Sequence, residues 1–110
     1  MHYVVARVDG SVEVLERKNP LELKELQNLV GGYIEMVSIS GTLMNRNARN
    51  LTAMVNEEGL LIDLPKNPFF SGLRGNVVLG RYEDEYFVGL EESAACDAKH
   101  RLTKKAGERA

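Results

Sequence analysis

Residues 3–8 (YVVARV) and 11–16 (SVEVLE) are rich in β-branched side chains and flank Asp9-Gly10, and this arrangement constrains the chain more than any other. An Asp-Gly pair suits the positive φ angles of a tight turn, so the segment predicts a β-hairpin. A two-residue loop would set Val8 opposite Ser11 and Val5 opposite Val14. Tyr3, Val5, Val12 and Val14 would then share one face, with Val4, Ala6, Val8 and Leu15 on the other. Both faces are largely apolar, which places the hairpin inside the sheet rather than at a bare edge.

A helix follows, with its own start and stop signals. Asn19 is suited to N-cap, Pro20 to the first helical position, and Glu22 completes a variant of the capping box. Gly31 or Gly32 can supply the left-handed C-cap. Between them Leu23, Leu26, Leu29 and Val30 form an apolar stripe, so a helix is predicted over residues 20–30. At that length it is marginal alone and needs a sheet to lie on.

The remaining chain reads as strands and turns. Residues 33–39 (YIEMVSI) predict a strand, and residues 40–50 (SGTLMNRNARN) a long polar loop. Residues 51–55 (LTAMV) and 60–63 (LLID) bracket Asn56-Glu57-Glu58-Gly59 as a second hairpin. Pro65 and Pro68 mark residues 64–75 as a loop, anchored to the core by Phe69 and Phe70. Residues 76–82 and 86–90 predict a third hairpin around Glu83-Asp84-Glu85. The expected fold is α+β: one main helix packed on a mostly antiparallel sheet of about five to six strands built from hairpins.

The 110 residues allow one domain with a real core, expected over residues 1–92. Residues 1–96 hold 9 of the 14 Lys and Arg but 14 of the 16 Asp and Glu, so residues 93–110 read as a basic, flexible or frayed-helical tail. With a net charge of −2 there is no global attraction to nucleic acid or an anionic membrane. Cys96 is the sole cysteine, which excludes an internal disulfide and a multi-thiolate zinc site. With neither a signal-peptide core nor a membrane-length apolar run, a cytoplasmic protein is expected.

Three stretches, LVGGYIEMV at 29–37, MVNEEGLLIDLPKNP at 54–68 and GNVVLG at 75–80, resemble the phage and mobile-element family catalogued as domain of unknown function 3846. The residues that carry it are Gly31, Gly32 and Tyr33, then Asn56, Glu57, Glu58 and Gly59, then Leu64, Pro65 and Asn67. The resemblance runs over residues 3–90 and implies a setting, a small phage or mobile-element protein in a host cytoplasm, without implying an activity.

Groups able to do chemistry are few. His2 beside the N-terminus and His100 in the tail are poorly placed as an oriented base, and Cys96 has only Lys99 and His100 as basic neighbours. The acidic sets Glu57-Glu58, Glu83-Asp84-Glu85 and Glu91-Glu92 lack calcium-loop spacing and read as solvated turns. No catalytic residue, metal ligand or cofactor is assigned.

Candidate binding residues lie in two loops. Asn45, Arg46, Asn47, Arg49 and Asn50 offer amides and guanidinium groups suited to a phosphate or a nucleotide edge. Asn56, Glu57, Pro65, Lys66, Asn67 and Arg74 form the second set, beside Phe69 and Phe70, whose simpler role is in the core. The expected function is a non-enzymatic binding or regulatory protein engaging a host protein or a nucleotide-like ligand. The alternative is a nucleic-acid-binding accessory protein using Arg46, Arg49, Arg74 and the tail cations Lys99, Arg101, Lys104, Lys105 and Arg109. A third possibility is a hydrolase or transferase working through Glu57 or Glu58. An unpaired edge strand would favour a homodimer.

Overall fold

The computed structural model describes residues 1–39 and 51–109. In chain order the elements are β1 (His2–Ala6), β2 (Val12–Glu16), α1 (Leu23–Val30), β3 (Ile34–Ser38), β4 (Leu51–Asn56), β5 (Val77–Glu83), β6 (Tyr86–Val88) and α2 (Glu92–Arg109). The described strands form one antiparallel sheet ordered β2-β1-β5-β4-β3, with β6 on the second half of β5. The α+β fold with a helix on a hairpin-built sheet is what the sequence predicts.

Side chains alternate along each strand, and here both faces are buried. Val4 and Ala6 of β1, Leu51, Ala53 and Val55 of β4, and Val77 and Leu79 of β5 join Phe69, Phe70, Ala95, Ala98 and Leu102 in one cluster. Tyr3, Val5, Met54 and Val78 join Leu21, Leu26 and Val30 in the other. Helix α1 therefore lies on one side, over β3, β4 and β5, and α2 on the other, over β1 and β2.

The first hairpin exists, but its strand β2 lies at the edge of the sheet rather than inside it, and its register is slipped by one residue from the expected one. Val4 faces Val14 and Ala6 faces Val12. The Gly10 amide donates to the Arg7 carbonyl (3.0 Å) and the Arg7 amide to the Ser11 carbonyl (2.9 Å), so the loop is three residues, Val8-Asp9-Gly10, with Gly10 at φ 90°. The Ser11 hydroxyl (2.6 Å) and amide (2.9 Å) donate to the Asp9 carboxylate, hold it below the usual carboxylate range and fix the longer loop. A one-residue slip exchanges the faces of β2, so Val12 and Val14 pack with Val4 and Ala6, while Leu15 joins Tyr3 and Val5.

Helix α1 begins at Leu23 rather than Pro20. Its N-cap is Glu22, which makes no side-chain capping bond, and Asn19 is not used. Leu21 is buried instead, and its amide donates to the Tyr3 hydroxyl at 3.1 Å. Burying a leucine contributes about 1.5–3 kcal/mol against about 1 kcal/mol for an N-cap, so the core contact wins. Leu23, expected in the stripe, is exposed. The C-terminus is as predicted: Gly31 is left-handed (φ 84°), and the Gly31 and Gly32 amides both donate to the Gln27 carbonyl.

Two further expectations differ from the structure. Residues 60–63 form no strand: the partners of β4 are β3 and β5, and residues 57–63 make a compact turn. Residues 93–109, expected within a flexible or frayed-helical tail, contribute most of a packed helix α2. Ala95, Ala98 and Leu102, spaced three and four apart, are fully buried on the sheet. Small alanines allow a close helix-to-sheet approach, which a search for large apolar residues overlooks.

Candidate interaction site

The second set of predicted residues gathers at the end of the sheet where β3 begins and β4 ends. Here the Glu57 amide donates to the Tyr33 carbonyl at 2.8 Å, and the chain leaves β4 into a single helical turn. The Asn56 side-chain oxygen accepts from the Glu58 amide at 2.7 Å, acting as N-cap of that turn. The Ile62 amide donates to the Glu58 carbonyl (2.9 Å). The turn closes as a Schellman motif: Asp63 is left-handed (φ 53°), its amide donates to the Leu60 carbonyl (3.3 Å), and the Leu64 amide donates to the Gly59 carbonyl (2.9 Å).

Neighbouring segments brace the turn. The Asn56 side-chain amide also donates to the Val30 carbonyl (3.2 Å), tying the turn to the end of α1. Gly32 lies against it, since a Cβ there would stand 2.9 Å from Asn56 Nδ2. Arg74 donates to the Asp63 carboxylate (3.0 Å) and the Leu64 carbonyl (3.1 Å) from the far side. The segment around Lys66 and Arg74 folds back on itself, with the Gly75 amide on the Pro65 carbonyl at 2.8 Å.

Inside that fold-back Asn67 is buried and makes four bonds. Its Nδ2 donates to the carbonyls of Ala6 and Gly75 (3.0 Å each), and its Oδ1 accepts from the amides of Phe69 (2.9 Å) and Phe70 (3.3 Å). Both phenylalanines are core residues. A third asparagine, Asn76, was not singled out by sequence. It accepts from the Val8 amide (3.0 Å) and donates to the Leu29 carbonyl (3.1 Å), joining the first hairpin to α1. Its place beside Gly75, at the entry to a strand, was the available signal.

The bracing holds three consecutive aliphatic side chains in solvent. Leu60, Leu61 and Ile62 are 74%, 85% and 53% exposed. Glu57 and Glu58 before them and Asp63 after them are exposed as well, and so are Pro65 and Lys66. Asn56 and Asn67 thus spend their side-chain amides inside the protein and Arg74 commits Nη1 to Asp63 and Leu64, while Glu57, Pro65 and Lys66 remain on the surface.

Asn45, Arg46, Asn47, Arg49 and Asn50 lie outside the described residues. The segment holding them leaves β3 after Ser38 and re-enters β4 at Leu51, opposite in register to the Ile34 and Asn56 end. Its anchors are therefore roughly 15–20 Å from the turn at about 3.4 Å per residue.

A groove of about 340 Å³ lies where β1 starts, β6 ends and α2 begins, with His2, Arg81, Glu91 and Glu92 on its walls. His2, expected beside a mobile terminus, belongs to β1 and is bridged to Leu90. Its Nδ1 is buried without a hydrogen-bond partner among the described residues. Arg81 is occupied by the Gly89 carbonyl (3.3 Å) and Glu83 (3.2 Å). Among the described residues no three His, Cys, Asp or Glu side chains are grouped to hold a metal ion, and no helix is long and apolar enough to cross a membrane.

A family model described as "Domain of unknown function (DUF3846)" matches residues 1–103. The chain belongs to the DUF3846 family. The match extends beyond residues 3–90 into α2, so most of the second helix is part of the DUF3846 unit. No curated protein and no solved structure was found to match the chain. The residues that carry the DUF3846 resemblance in the sequence are largely those that build and brace the exposed turn: Gly32 and Tyr33, Asn56 to Gly59, Leu64 and Pro65.

Proposed function

We propose that this DUF3846 protein is a non-enzymatic binding module that docks on another protein through Leu60, Leu61 and Ile62. The observation that carries this reading is their joint exposure on a turn held by more than one neighbouring segment. Single exposed aliphatics are ordinary, but three in a row on a braced turn gain nothing for folding and are suited to burial against a partner. The family resemblance supports a host-cell protein as that partner, in the cytoplasm and in a phage or mobile-element setting. A nucleotide-like ligand is less well supported, because the side-chain amides of Asn56 and Asn67 are already bonded within the protein and Arg74 is committed through Nη1 to Asp63 and Leu64. A nucleic-acid role is also less well supported. Helix α2 exposes Lys99 and Lys104, but Arg101 is paired with Asp97 at 3.0 Å.

The test compares the immobilised wild-type chain with the triple variant Leu60→Ser, Leu61→Ser, Ile62→Ser in extract of the source cells, read by quantitative mass spectrometry. One protein retained near stoichiometry by the wild type and lost by the variant is expected. Equal retention by both, or no retained protein, would remove the proposal.

A further inference from the structure

We infer that the surface receiving this turn is a cleft, apolar at its floor and cationic at its rim; this rests on the protein-docking reading above. The shape follows from the helical turn. Successive residues of a helix project about 100° apart, so Leu60, Leu61 and Ile62 span roughly 200° around its axis. A flat partner could cover at most two of them. All three are more than half exposed, and only a concave surface buries them together.

The charge follows from what borders the aliphatics. Glu57 and Glu58 sit at the N-terminal side of the tip, both exposed and without an ion pair to any described residue. Asp63 sits at the other side, its charge shared with Arg74. Carboxylates brought to a partner's surface are stabilised by opposite charge and repelled by like charge, which fixes the sign of the rim. The same acids disfavour an anionic lipid surface.

The experiment measures binding of the protein retained from extract to the full chain at 50 and 300 mM NaCl, using wild type, Glu57→Gln/Glu58→Gln, Glu57→Lys/Glu58→Lys and the triple serine variant. Charge reversal is expected to weaken binding at least ~10-fold at low salt, and the glutamine pair to weaken it less while flattening the salt dependence of the wild type. The serine variant should lose binding at both salt concentrations. Binding by the lysine pair equal to wild type, with no salt dependence, would overturn the cationic rim while the docking reading stands. Retention by the serine variant, or no partner at all, would overturn both.

Discussion

Asn67 shows how much a single polar side chain decides here. It stands in a loop between two prolines, a place suited to an exposed ligand-binding amide, and it is instead among the most enclosed polar residues of those described. Two carbonyls and two amides from three segments meet its side chain, so removing it strands several buried groups at once. Asn67→Ala is expected to lower the unfolding free energy by about 2–4 kcal/mol. Lys66→Ala, one residue away and exposed, should change it by less than about 0.5 kcal/mol. Urea unfolding of the two variants checks this, and equal effects would contradict the role given to Asn67. An asparagine that binds a ligand and one that staples a loop have the same letter and the same neighbours in sequence. What separates them is whether carbonyls from distant residues, here Ala6, lie within reach, and a single sequence does not show that.

At the scale of elements, local chemistry was legible and long-range competition was not. The Gly31-Gly32 stop of α1, the turn at Gly10 and the strands around residues 33–39 and 76–82 all follow from φ preference and apolar period. The start of α1 does not, because Leu21 is drawn to Tyr3 and overrides the Asn19 cap. The register of the first hairpin was missed because the Ser11 bonds to Asp9 lengthen the loop by one residue. Residues 60–63 carry strand-like composition, yet β4 already has a partner on each side, which leaves them no edge to join. The alanines of α2 permit a helix in the sequence but conceal its packing, because they bury little area each while letting the backbone approach the sheet. If α2 is part of the fold, Leu102→Ala should cost about 2–4 kcal/mol, as for other buried leucines. Lys104→Ala should leave stability within about 0.5 kcal/mol of wild type. Circular dichroism during urea unfolding would show both, and an unchanged midpoint for Leu102→Ala would return residues 93–110 to the status of a tail.

For the molecule as a whole, apolar residues are divided between two tasks. Those on β1, β4 and β5 are sealed between α1 and α2, with Val4, Val5, Val77, Val78 and Leu79 fully buried. Leu60, Leu61 and Ile62 lie at one end of the same sheet and face water. Folding free energy should therefore be insensitive to them, while binding depends on them. The triple serine variant is expected to unfold within about 0.5 kcal/mol of wild type, because side chains already exposed in the native state lose little on truncation. Leu79→Ala, which opens a cavity in the cluster between the sheet and α2, should cost about 2–5 kcal/mol. Both follow from urea titrations monitored by tyrosine fluorescence and circular dichroism. A loss above ~2 kcal/mol in the serine variant would mean that the turn packs on the domain as part of its core. The loss of partner binding in that variant would then report unfolding rather than a missing contact. An unchanged midpoint together with lost binding separates the two tasks, and assigns the turn to recognition.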